Sequence, residues 1–133
     1  MQAAPTSNEP GYAPGVCNIG LDEINARRRA GHLGLAGAVA LLIGLLVADA
    51  SPVARLLVAL PVAAAAIGYL QAYLRFCAAF GFRGVFNFGP LGTSQPIANP
   101  EAAARDRAKA IRISVAAALI GLATGVVLLF LPL

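Results

Sequence analysis

Apolar residues in this chain gather into three long blocks. The first runs from Leu33 to Ala48 (LGLAGAVALLIGLLVA), the second from Val53 to Phe76 and the third from Ile113 to Leu131. Crossing the ~30 Å core of a bilayer takes about 20 residues of helix at ~1.5 Å each. Lipid offers backbone groups no hydrogen-bond partner, so each block is predicted to be helical. At sixteen residues the first block is short. It reaches across if the helix continues from Ala30 and the flanking arginines extend their charges to the interface. Asp49 to Pro52 is then a turn, and Pro61 falls inside the second span, where neighbouring helices can satisfy the freed carbonyl. The expectation is an all-α membrane protein with three transmembrane helices over 33–48, 53–76 and 113–131.

The segments between the blocks add detail. Residues 1–16, rich in Pro, Gly, Ala and polar residues, form a tail that does not order alone, so it is disordered or partner-bound. Residues 17–32 (CNIGLDEINARRRAGH) read as a short N-terminal interfacial helix. Asn18 or Asp22 can cap it, Asp22 and Glu23 fall in its first turn, and Arg27, Arg28 and Arg29 follow. Phe76 to Phe88 holds five of the six phenylalanines, broken by glycine and one arginine, and is expected to lie in the interface. Gly89 to Pro100 reads as a loop. Asn99-Pro100-Glu101 is a helix start, with a capping side chain, proline at the first helical position and an acid beside the positive end of the dipole. One helix is expected to run from there through the charged segment Glu101 to Arg112 and the third span.

Charge fixes the expected orientation. Arg27, Arg28, Arg29, Arg75, Arg83, Arg105, Arg107, Lys109 and Arg112 fall on one side of the predicted spans, and Arg55 alone on the other. Cationic residues concentrate on the cytoplasmic side. The chain is therefore expected in the cell (cytoplasmic) membrane, N-terminus cytoplasmic and C-terminus external. Charged residues are only 12% of the chain, against roughly 25% in soluble domains, so the excess of +4 is read as attraction to anionic lipid headgroups. The lipid bilayer is thus one partner, and nucleic acid is not expected. No signal peptide is legible in Met1 to Gly15, so the first span is expected to direct insertion.

Small residues recur at a spacing of four in every span: Ala36, Ala40, Gly44 and Ala48; Ala64, Gly68 and Ala72; Ala117, Gly121 and Gly125. That spacing places them on one face, where small side chains let helix backbones approach. These stripes are expected to pack the helices against one another, or one of them against another protein. His32 is the only histidine, and imidazole at the start of a span is a candidate haem or pigment ligand, against the plainer reading of an interfacial polar residue. Cys17 and Cys77 both fall at the cytoplasmic side. They read as inert structural thiols, or as reactive ones if Arg75 and Arg83 lower their pKa. No metal-ligand cluster, nucleotide loop or Ser-His-Asp set is present, and no mid-span carboxylate, Lys or His marks an ion path. No catalytic residue, metal or cofactor is assigned.

Cys17-Asn18-Ile19-Gly20, followed by arginines, two apolar helices and Cys77, resembles the small two-helix membrane domain of the YgaP type, which often accompanies rhodanese sulfur-transfer domains. The resemblance covers residues 17–88, with Asn18, Gly20, Arg28 and Cys77 in the family's motif positions. Cys77 is followed by Ala78 and Ala79 where the family has proline and tyrosine, and a third helix and an N-terminal tail are added. It implies a helical hairpin and a link to sulfur chemistry.

Three functions fit these residues. The first is a non-catalytic accessory or structural subunit bound to other membrane protein subunits. The second is a thiol-based sulfur or redox carrier using Cys17 and Cys77. The third is a pigment- or haem-binding subunit through His32.

Overall fold

The computed structural model describes residues 11–133. Helix α1 spans Leu21–Val47, and a 3-10 helix, Pro52–Val58, leads directly into α2, Ala59–Leu74. A short α3, Ala78–Arg83, and a two-stranded antiparallel ribbon, β1 (Val85–Phe86) with β2 (Gln95–Pro96), precede α4, Pro100–Phe130. Among the described residues, three segments are long and apolar enough to cross a membrane: Leu21–Val47, Pro52–Leu74 and Pro100–Phe130. The protein is an all-α membrane protein.

The ends of these helices depart from the sequence reading in instructive ways. The interfacial helix expected over 17–32 is not separate: its residues from Leu21 onward are the first turns of α1. Nothing in that stretch breaks a helix. With 27 residues α1 is about 40 Å long, so its arginine-bearing turns extend past the ~30 Å apolar core. Its N-cap is Gly20, without a side-chain bond, in place of the expected Asn18 or Asp22. Asn18 is engaged elsewhere. At the other end α1 stops at a left-handed Asp49 (φ 53°), and the Ala50 N–H bonds back to the Leu45 carbonyl.

The second span closes two residues earlier than expected. Arg75 adopts the left-handed conformation (φ 55°), and the Phe76 N–H bonds to the Gln71 carbonyl, terminating α2. A non-glycine residue there costs about 1 kcal/mol. Phe76, fully buried against Ala78, Ala110 and Ile113, offsets that cost. The start of α4 follows the sequence reading: Asn99 accepts from the N–H groups of Glu101 (2.8 Å) and Ala102 (3.4 Å).

Helix α2 lies between α1 and α4 and packs on both, while those two make little contact with each other. The three form a row. Its closest approaches are backbone to backbone. A Cβ on Gly68 would lie 2.6 Å from the Gly31 nitrogen, and one on Gly34 would lie 2.6 Å from the Ala65 nitrogen. A Cβ on Gly121 would meet the Ala59 carbonyl oxygen at 2.6 Å, and one on Gly125 would meet the Ala59 Cβ at 3.2 Å. Of the predicted stripes, Ala117, Gly121 and Gly125 are buried facing the second span, and Gly68 and Ala72 are buried, but Ala64 is exposed.

The first stripe is a correction. Ala36, Ala40, Gly44 and Ala48 all face outward, and a Cβ on Gly44 would meet nothing within 4 Å. The packing face of α1 is instead Gly31, Gly34 and Ala38. A helix with 3.6 residues per turn supports both i+3 and i+4 rows, and in an alanine-rich segment several rows are equally small. The partner's contour chose among them: Tyr69 and Gly68 need the space over Gly31.

Candidate functional site

The polar chemistry concentrates at the end of the molecule that carries nine of the ten Lys and Arg residues, here the charged end. Its centre is the peptide before α3. The Asn18 amide pairs with the backbone of Cys77 in both directions: Cys77 N–H donates to Asn18 Oδ1 (2.7 Å), and Asn18 Nδ2 donates to the Cys77 carbonyl (3.2 Å). Around this pair the Asn18 N–H donates to the Arg75 carbonyl and the Asn87 N–H to the Asn18 carbonyl, while Ile19 bridges Asn87 in parallel. The strand-like segment before α1 is thereby sewn between the end of α2 and the ribbon.

Asn87 organises the second layer. Its Nδ2 donates to Glu23 Oε2 (2.9 Å) and to the Pro90 carbonyl (2.9 Å), and its Oδ1 accepts from the Gly89 N–H (2.9 Å). The other Glu23 oxygen takes Arg27 Nη2 at 3.0 Å, an i,i+4 pair on α1. The same Arg27 nitrogen lies 3.0 Å from Cys77 Sγ. Arg27 and Arg83 both lie over the Phe80 ring, at 5.7 and 5.3 Å from its centroid. Gln71 Oε1 accepts from the Ala78 N–H (2.7 Å), supplying the otherwise missing partner at the start of α3.

A third group docks the N-terminal segment. Asp106, fully buried in the charged first part of α4 ahead of the apolar span, accepts from the Gly15 N–H (2.7 Å) and the Tyr12 hydroxyl (3.0 Å). Tyr12 also stacks on Phe86, with ring centroids 4.9 Å apart. Within residues 11–16, expected as part of a tail that is disordered or partner-bound, Tyr12 and Gly15 are therefore held against α4 by this chain itself. The tail expectation for residues 1–10 lies outside the described residues. Burial beside Asp106 pushes the Tyr12 phenol well above its ordinary value of 10.0.

Both cysteines are free and buried. Cys17, directly after the segment expected as a tail, is only 9% exposed, and its Sγ–H donates to the Ile19 carbonyl at 3.6 Å. Burial pushes its thiol up, so it stays protonated at neutral pH. Cys77 has the guanidinium contact that a reactive thiolate uses. Cys77, however, is a buried residue, 1% exposed, and the Arg27 charge is shared with Glu23. Ile19, Phe80, Ile24 and Val85 pack around Cys77. His32 is exposed and pairs through Nδ1 with the Tyr69 hydroxyl at 2.7 Å, across α1 and α2. No cluster of metal-ligating side chains occurs among the described residues.

At the far end, Arg55 has a specific task. Its Nη1 donates to the carbonyls of Leu128 (3.0 Å) and Leu131 (2.8 Å), and Nη2 to that of Leu133 (3.3 Å). The Leu128 carbonyl lies in the last turn of α4, where the residue four positions on is Pro132, which has no N–H to offer. A cation there also opposes the negative end of the helix dipole.

Sequence reasoning missed Glu23, Gln71, Asn87 and Asp106 as structural centres. Asp106 left a trace, as the one acid among Arg105, Arg107 and Lys109. So did Arg55, the lone cation on its side. Asn87 left none. Comparison with protein-family models, with curated proteins and with solved structures finds no match to this chain.

Proposed function

We propose that the chain is a non-catalytic accessory subunit of a larger membrane protein assembly in the cell membrane, its charged end in the cytoplasm. The observation that carries this reading is how little of each span the chain itself covers: 11% of the first apolar window and 22% of the second and third. A row of three helices has no enclosed interior, so its lateral surface belongs to lipid and to neighbouring proteins. The buried amides and carboxylates at the charged end are engaged with the chain's own backbone and side chains, which suits a rigid docking body better than a reaction centre.

The reading is tested by gentle-detergent extraction of the chain from its native membrane, followed by mass spectrometry of the intact particle. A discrete assembly with fixed stoichiometry is expected. A chain that leaves the membrane alone sinks the proposal. Orientation is tested separately in a background with Cys17→Ser and Cys77→Ser. An impermeant thiol reagent added to intact cells should label Ser51→Cys and spare Thr93→Cys, and the reverse pattern would invert the topology.

A second reading is a thiol-based carrier, which the 3.0 Å contact of Arg27 with Cys77 Sγ favours. The resemblance to the YgaP-type domain would place the same cysteine in sulfur chemistry. The two readings separate on the double cysteine-to-serine variant: an assembly role survives it, and a carrier role does not.

A further inference from the structure

Between the last turns of α2 and the middle of α4, at the charged end, lies a groove of about 230 Å³. Leu70, Leu74, Ile113 and Ala116 form its apolar walls, and Lys109 and Arg112 stand at its polar mouth. The helices run antiparallel here, since Gly121 opposes Ala59 and Ala63 while Ala110 lies beside Phe76. Leu74 is therefore level with the two cations, and Leu70 lies deeper beside Ile113 and Ala116. From Lys109 to Ala116 the helix rises about 10 Å. That is enough for a glycerol backbone and the first carbons of an acyl chain.

The electrostatics select the headgroup. Among the described residues, the one ion pair is Glu23 with Arg27, so neither Lys109 nor Arg112 has a carboxylate within 4.0 Å. The nearest acid along the helix, Asp106, is fully buried and occupied by Tyr12 and Gly15. Lys109 is held with its ammonium 5.9 Å from the Phe76 ring centroid. Two cations without carboxylate partners among the described residues thus stand over an apolar trough, at the end where the cationic residues place the membrane surface. We propose that this groove holds one anionic phospholipid, its phosphate between Lys109 and Arg112 and an acyl chain along Leu70, Leu74, Ile113 and Ala116. The inference rests on the membrane-spanning fold and is independent of the accessory role.

The test uses the full chain reconstituted into vesicles of equal parts phosphatidylglycerol and phosphatidylcholine. It is then extracted and examined by native mass spectrometry, with a melting curve for every variant. One retained phosphatidylglycerol per chain is expected, in preference to phosphatidylcholine. Lys109→Gln with Arg112→Gln should lower that retention about fivefold per charge and about 25-fold together. Ala116→Trp, which fills the trough and keeps both charges, should also release the lipid. Arg28→Gln with Arg29→Gln, which removes equal charge from the exposed start of α1, should leave it bound. An equal loss from the α1 pair would mean diffuse surface attraction and overturn the site. So would equal retention of the two lipids, or displacement of the lipid by inorganic phosphate alone, which would mark an ion site that makes no use of the trough.

Discussion

The charged end and the helical shaft hold the same chain together by opposite means. At the charged end, segments far apart in sequence are joined by buried polar side chains, each bonded to backbone or to another side chain: Asn18 to Cys77, Asn87 to Glu23, Asp106 to Tyr12 and Gly15. Along the shaft, the helices are joined where side chains are missing, at Gly31, Gly34, Gly68 and Gly121. The contrast follows from the solvent. Chain that leaves a helix near the membrane surface exposes amide groups that must be satisfied, and short amide side chains do this with direction. Inside the bilayer the backbone is already satisfied, and association depends on close van der Waals approach. The two regions should therefore fail differently: the charged end through orphaned polar groups, the shaft through added volume.

The largest effect is expected from Asn18→Ala. It leaves the buried Cys77 N–H without a partner and removes a bond from the Cys77 carbonyl, a loss of about 2–4 kcal/mol. Thermal unfolding in detergent measures it, with the exposed-side Asn25→Ala as control. A change below that control's scatter would mean that water replaces the amide and that the charged end is not a dry polar core.

Added volume gives the next test. Gly121→Ala places a methyl group on the Ala59 carbonyl and should cost about 1–3 kcal/mol. Gly44→Ala, which meets open space, should stay within about 0.5 kcal/mol of the parent. Equal costs at the two glycines would mean that the outward face of α1 is packed in the folded particle.

Arg55→Met probes the far end of the shaft, where one polar side chain does for α4 what several do at the charged end. Lost bonds to the Leu128, Leu131 and Leu133 carbonyls are partly offset by removal of a buried guanidinium whose Nε has no partner. The net cost should be about 1 kcal/mol. It should appear as faster amide exchange at the last turn of α4, with exchange at the charged end unchanged.

The smallest effect concerns the docked N-terminal segment. The Tyr12 phenol is raised above its unfolded value of 10.0 by burial and by Asp106. Its contribution to docking is therefore complete below pH 10 and is lost as the pH climbs above that value through the higher folded one. Subtracting the alkaline absorbance titration of Tyr12→Phe from that of the parent isolates this phenol. A midpoint at or below 10.0 would show that the segment is undocked.

Much of this was legible in the primary structure. The three apolar blocks, the turn at Asp49, the helix start at Asn99-Pro100 and the broken character of Phe76 to Phe88 follow from local rules, because helix length, capping and bilayer thickness act over a few residues at a time. The buried stripe through Gly121 and Gly125 was visible for the same reason. What only the tertiary structure decided are the choices among local equivalents. Ala36-Ala40-Gly44 and Gly31-Gly34-Ala38 are equally small rows of one helix, and the shape of α2 selected the second. Asn18 is a sound helix cap by its position, and the unsatisfied Cys77 peptide claimed it instead. Glu23, Asn87 and Asp106 look like surface residues until chain segments 64 to 94 positions away arrive to bond them. A polar side chain becomes structural only when folding strips its partner of water, and no local pattern records where that happens.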